Sequence, residues 1–188
     1  AIDIGCHEGY PGHHTYNVLL EKNLVNDRKW LEYSVYPLYS PQSLIAEGTA
    51  NYGVAMAFPD ALKKSFQRDV LYPLAGIDPA LLDKYEALLK LIAQLSYAGN
   101  EAARDYIDGK MTKQQAIDWL INVELYPVEK APQRISFFDV NRSYVINYNV
   151  GKDLVKDYVE YKTRGATTAP EKTELGWQVF EQLLSSPR

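Results

Sequence analysis

The sequence has few of the residues that build disulfide frameworks, nucleic-acid interfaces or membrane spans. Its single cysteine, Cys6, excludes an internal disulfide. The net charge is −4, with lysine and arginine interspersed among aspartate and glutamate, so no basic surface favours nucleic acid. No run of about eighteen apolar residues occurs, so no membrane span is predicted. The apolar fraction of 46% is typical of a globular protein with a sizeable core.

Histidine is also scarce, and its distribution is the most informative feature of the chain. All three histidines lie within residues 7–14, which read H-E-G-Y-P-G-H-H. Histidine is the commonest metal ligand, and here a glutamate directly follows the first of them. In the related H-E-x-x-H motif, both histidines share one helix face and the glutamate acts as a base. The cluster therefore predicts a hydrolytic metal site.

The spacing of this cluster is two residues longer than in H-E-x-x-H. In an unbroken helix, His13 would lie about 240° around the axis from His7, and His14 about 10.5 Å further along it. One metal ion could therefore hardly bind His7 together with either His13 or His14. Pro11 removes a helical donor, and Gly12 permits backbone angles closed to other residues. We therefore expect a kink or bulge that brings His13, or less favourably His14, beside His7.

Helix signals dominate the rest of the chain. The helix starts are marked by serine and aspartate caps followed by proline, and by a threonine that opens a capping box. The helix ends are marked by glycine or proline. The one candidate strand covers residues 135–140, and a loop is predicted over 163–170. The sequence therefore predicts one mainly α domain over residues 1–188. Its predicted helices cover residues 41–57, 60–70, 79–107, 112–126, 149–161 and 172–184.

The histidine motif resembles that of a bacterial domain-of-unknown-function family of zinc metallopeptidases, which is distantly similar to the gluzincins. Members carry H-E-x-x-P-G-H, then Glu-Gly, then a segment with arginine and tyrosine. The resemblance implies a multi-helix, zincin-like fold. It covers most of this chain but only the C-terminal part of a typical member, so we expect a larger helical peptidase whose N-terminal portion is missing here. The matching positions are residues 7–13, Glu47-Gly48, and Arg142-Ser143-Tyr144 with Tyr148 and Gly151.

Glu47 is the best candidate for a carboxylate ligand on a second helix. The neighbouring Ala46, Gly48 and Ala50 leave room for another helix to approach closely. From the residues alone, a ligand and a solvated helix glutamate are about equally favoured. The resemblance favours the ligand, and implies that His7, His13 and Glu47 hold Zn²⁺, with His14 as the alternative to His13. Two histidines, one glutamate and a water make an open catalytic zinc site.

The remaining site residues follow from this assignment. Glu8 would be the general base that acts on the metal-activated water. The resemblance also points to Arg142, Tyr144 and Tyr148, which would bind the substrate carboxylate or stabilise the oxyanion. With fifteen tyrosines in the chain, ordinary packing is the competing interpretation for both tyrosines.

These residues predict a zinc-dependent hydrolase, first of all a metallopeptidase acting on a peptide or small amide. One alternative is an inactive binding or scaffold protein on a peptidase fold, because residues 107–112 lack a histidine that the family carries there. Another is a metal-dependent hydrolase of a non-peptide substrate, since zinc-activated water attacks many carbonyl groups. We also expect the chain, as a fragment, to self-associate through exposed apolar surface.

Overall fold

The computed structural model describes residues 1–186 and confirms that the protein is mainly α. No strand occurs in this range. The α-helices are α1 (Ile2–Glu8), α2 (His13–Leu20), α3 (Gln42–Ala57), α4 (Asp60–Phe66), α5 (Tyr72–Leu74), α6 (Leu82–Ile107), α7 (Lys113–Asn122), α8 (Ala131–Asn141), α9 (Val150–Thr163) and α10 (Ala169–Ser185). Shorter π-helical segments cover Glu21–Asp27 and Gln67–Leu71, and 3₁₀ segments cover Leu31–Ser34, Pro79–Leu81 and Arg142–Asn147.

Local sequence signals account for some of the helix ends, but α3 begins at Gln42 without a side-chain cap, so the serine cap predicted for it does not form. The Asp78 side chain accepts a hydrogen bond from the amide of Ala80 at 2.9 Å, as expected of a cap. The predicted capping box at Thr112 is present at the start of α7. Gly109, with φ of +73°, follows the end of α6. The helix predicted over 60–70 is divided between α4 and a π-helical segment, and α7 ends four residues before the predicted position 126.

The strand predicted over residues 135–140 is wrong, because these residues lie inside α8. Ala131, Ile135 and Phe138 are fully buried, and their spacings of four and three residues place them on one helix face. The isoleucine, valine and two phenylalanines of this segment have high strand propensity, which suggested the strand. Packing of the apolar face against α6 and α7 outweighs that preference.

The chain forms two compact units. Unit 1 contains residues 1–61 together with the described residues from Asn147 onward, and unit 2 contains Leu62–Ile146. In unit 2, buried alanines and larger apolar residues of α6, α7 and α8 form the core. In unit 1, α3 packs against α1, α2, α9 and α10. The prediction of a single catalytic domain stays a prediction.

Two glycines allow α3 and α9 to approach closely in unit 1. A Cβ at Gly48 would lie 2.5 Å from the carbonyl oxygen of Gly151, and a Cβ at Gly151 would lie 2.9 Å from the carbonyl oxygen of Leu44 in α3. No side chain fits at such separations. The close helix approach predicted at the small residues of α3 is therefore confirmed, and it holds the neighbouring Glu47 in a buried position.

We expect Gly48→Ala to destabilise the protein by about 1–3 kcal/mol, because the added methyl meets backbone rather than a movable side chain. Denaturant unfolding measures this loss. Gly5→Ala is the matched control, since Gly5 also lies in a helix but a Cβ there has no neighbour within 4 Å. The control should be neutral or stabilise by up to about 1 kcal/mol through helix propensity. Equal stability of the two variants would contradict this packing.

The surface of α6 carries exposed apolar residues, which include Tyr85, Leu88, Leu91 and Ile92. Self-association through such a surface stays a prediction. None of the helices within residues 1–186 combines the length and apolar character that crossing a membrane requires.

Candidate metal centre

The loop between α1 and α2 interrupts the helix at the predicted break. Residues 9–12 separate the two helices, and the Tyr10–Pro11 peptide is cis. A Cβ at Gly12 would overlap the carbonyl oxygens of Cys6 and His7, so only glycine fits there. The Pro11 ring packs on α3, where a Cβ at Gly53 would lie 2.9 Å from Pro11 Cγ. The break in the helix at this Pro-Gly pair is therefore confirmed.

With the helix interrupted here, three of the predicted ligands come together. His7 Nε2 lies 3.4 Å from Glu47 Oε2, and His13 Nε2 lies 3.5 Å from Glu47 Oε1. The two imidazole rings meet edge to face with centroids 4.6 Å apart. One potential ligand atom from each residue lies within 4.8 Å of the others. His14, the predicted alternative, is exposed on α2 and lies outside this group of three.

The geometry of the three residues fits a small cation with nitrogen and oxygen ligands. For metal–ligand bonds of about 2.0–2.1 Å, neighbouring ligand atoms of a tetrahedral zinc site lie about 3.4 Å apart. Each of the two nitrogen–oxygen distances given above is close to that value, and they end on different oxygens of the Glu47 carboxylate. Three protein ligands also leave one tetrahedral position for water or substrate, as in catalytic zinc sites. The donor set does not by itself distinguish zinc from manganese or cobalt.

Asn51, which sequence reasoning missed, orients the first histidine. Its amide nitrogen donates to the backbone carbonyl of Tyr148 at 2.9 Å, so its amide oxygen faces His7 Nδ1 at 3.1 Å. His7 then donates from Nδ1, and its Nε2 presents a lone pair to the Glu47 carboxylate. A proton or a metal ion between these two acceptors, which are 3.4 Å apart, would stabilise the arrangement.

The electrostatics of the cluster formed by His7, His13 and Glu47 favour a positive charge. Glu47 is 6% exposed. The hydrogen bond that a protonated His7 can donate to Glu47 is the main reason why the pKa of His7 is raised, and burial of the imidazole opposes that rise. The charge of Glu47, the Asn51 hydrogen bond and the charge of Glu8 raise the pKa further. A divalent cation would experience the same negative potential.

Glu8 lies at the solvent side of the cluster. Its Oε1 atom is 4.0 Å from His7 Nε2, and its side chain is 66% exposed. A carboxylate in this position can reach a water or a substrate that enters from solvent, as the predicted general base must. Its exposure also distinguishes it from Glu47, which is buried and belongs to the ligand group.

The other three predicted site residues are Tyr148, Arg142 and Tyr144. Tyr148 reaches the cluster through its backbone carbonyl, and the role predicted for its phenol stays a prediction. Arg142 and Tyr144 belong to unit 2, where Arg142 is exposed with φ of +52° and Tyr144 is buried. Their predicted roles in substrate binding also stay predictions.

Tyr36 is a second residue near the cluster that the site prediction did not include. Its hydroxyl donates to Ser43 Oγ at 3.0 Å, and Ser43 lies one helical turn before Glu47 on the same face of α3. Burial raises the pKa of Tyr36, and the charge of Glu47 adds to that rise. The spacing of four residues from Ser43 to Glu47 and from Glu47 to Asn51 was the available signal for a polar face on this helix.

In comparisons with protein-family models, with curated proteins and with solved structures, none matched this chain.

Asn51→Ala is expected to weaken zinc binding by about 10- to 100-fold, because His7 loses the acceptor that fixes its tautomer and ring orientation. Calorimetric titration with zinc measures the change. Asn51→Asp keeps the acceptor for His7 but loses the donor to Tyr148, so its zinc affinity should lie between those of Asn51→Ala and the unmodified chain. Asn122→Ala is the control, because the Asn122 side chain donates to the carbonyl of Asp118 and both residues belong to unit 2. Unchanged affinity in Asn51→Ala would remove Asn51 from the metal centre.

Proposed function

We propose that the chain is a zinc-dependent hydrolase and that its reaction is the hydrolysis of peptide bonds. The observation that carries this proposal is the convergence of His7, His13 and Glu47, with the exposed carboxylate of Glu8 beside them. The resemblance of the H-E-x-x-P-G-H motif to zinc metallopeptidases supports the same reaction and accounts for the order of these residues in the sequence.

In the proposed reaction, His7, His13 and Glu47 would hold the metal. A zinc ion bound there supplies a Lewis acid that polarises the scissile carbonyl and lowers the pKa of water. Asn51 keeps the His7 proton on Nδ1, so that Nε2 stays available as a ligand. Glu8 accepts a proton as the water oxygen bonds to the carbonyl carbon, and returns it to the leaving nitrogen as the carbon–nitrogen bond breaks.

A metal and substrate experiment on the purified chain tests the proposal. We expect about one zinc per chain after incubation and dialysis, and cleavage of unmodified peptides detected by mass spectrometry. Chelation should abolish cleavage, and added zinc should restore it. A panel of peptides, esters and cyclic amides distinguishes a peptidase from another hydrolase. Failure to retain zinc, or retention of zinc with cleavage of esters alone, would overturn the proposal.

A further inference from the structure

A second possible binding site lies in unit 1, between α10 and the segment that contains the α1–α2 loop and α2. It is a groove of about 650 Å³. This volume lies within the range of small-molecule and side-chain binding sites. The groove lies on a different face of α2 from the metal centre. Thr15 and Leu19 line it, whereas His13 points to Glu47, and positions 13 and 15 are about 200° apart around the helix.

One wall of the groove is aromatic. The rings of Tyr10 and Trp177 are nearly parallel, with an angle of 17° between their planes and 6.3 Å between their centroids. Tyr10 is 66% exposed, so its ring is accessible to a ligand. Phe180 and Leu184 add apolar surface. Such a wall can pack against the aliphatic part of a long side chain and attract a cation to the ring faces.

The polar groups of the groove are acidic. Glu174 and Glu181 line it from α10, where they are seven residues, or about 10.5 Å, apart with Trp177 between them. Among the described residues that line the groove, none is a lysine, arginine or histidine. The groove therefore combines two carboxylates with aromatic surface, and its charge is complementary to a cation.

We propose that this groove binds an arginine side chain of a peptide. A guanidinium is planar, stacks on aromatic rings and forms paired hydrogen bonds with a carboxylate, and its three-carbon stem suits the apolar surface. This inference goes beyond the proposed hydrolase function, because no group of the groove belongs to the ligand cluster. The groove should bind the same peptide in the metal-free chain and in His7→Ala.

The test compares two blocked tripeptides, acetyl-Ala-Arg-Ala-amide and its citrulline analogue, which has nearly the same shape but no charge. Binding is followed by NMR through the indole N–H signal of Trp177, which Trp177→Phe assigns. We expect a Kd on the order of 1 mM for the arginine peptide and about tenfold weaker binding of the citrulline peptide. Raising the salt concentration should reduce the difference.

Substitutions of the groove residues show where the arginine peptide binds. Glu174→Gln and Glu181→Gln should each weaken binding of the arginine peptide by about two- to fivefold, as exposed ion pairs do. Tyr10→Leu should weaken it by a similar factor through loss of the ring face. Glu32→Gln is the control, because Glu32 is exposed in the 3₁₀ segment Leu31–Ser34 and does not line the groove. Equal binding of both peptides, or no shift of the Trp177 signal, would overturn the proposal.

Discussion

Replacing Glu8 by glutamine is expected to lower the rate of peptide hydrolysis by about 100- to 10,000-fold while leaving the zinc content unchanged. Glutamine keeps the size of the side chain but cannot accept the proton of the attacking water. Glu8 lies outside the ligand group and its side chain is 66% exposed, so the substitution should cost little stability. Steady-state kinetics and metal analysis of the same preparation measure both quantities.

The control for this experiment is Glu21→Gln, which removes another exposed carboxylate of unit 1 and should leave kcat/KM unchanged. The loss in Glu8→Gln should appear mainly in kcat, since the base acts in the transition state rather than in substrate binding. Full activity in Glu8→Gln would exclude Glu8 as the base. Loss of zinc together with activity would instead assign Glu8 to metal binding.

The candidate metal centre shows which part of a site can be predicted from local sequence. In one continuous helix the two extra residues would separate His7 from His13. Gly9 and Pro11-Gly12 supply the residues at which the helix breaks. The ligand spacing and the break are encoded within eight consecutive residues. The structure accordingly brings His13, and not His14, beside His7.

Asn51 shows where prediction from sequence ends. It is four residues from Glu47, so its place on the same helix face was predictable. Its orientation, however, is set by the backbone carbonyl of Tyr148, which is 97 residues away in the sequence. A backbone carbonyl leaves no signal in residue identity. The same applies to the groove, whose walls come from residues 10–19 and 174–184.

The segment 135–140 shows how tertiary packing outweighs a local preference. Its isoleucine, valine and phenylalanines favour a strand, but a strand has no partner in a chain whose neighbouring segments have strong helical caps. When the segment is extended back to Ala131, its apolar residues indicate a helix. Ala131, Ile135 and Phe138 recur at helical spacing, and all are buried. The predicted window began after the first of these residues and therefore missed the period.

Glu47→Gln is expected to weaken zinc binding by about 100-fold or more, because it removes the only anionic ligand of the cluster while preserving its shape. Thermal unfolding gives a direct measurement. A metal that binds only the folded chain stabilises it by about 2.7 kcal/mol at a free concentration of 100 times its Kd. For a protein of this size, that corresponds to a rise in Tm of roughly 5–11 °C, which Glu47→Gln should lose at the same zinc concentration.

Glu124→Gln is the matched control for this measurement. Glu124 is also partly buried, and burial raises its pKa, but it lies in unit 2 and outside the ligand group. Its variant should keep the full rise in Tm with zinc. A rise that persists in Glu47→Gln but disappears in His7→Ala would mean that the histidines bind zinc without this carboxylate. A rise that persists in both variants would place the zinc elsewhere in the chain and remove the structural basis for a hydrolase.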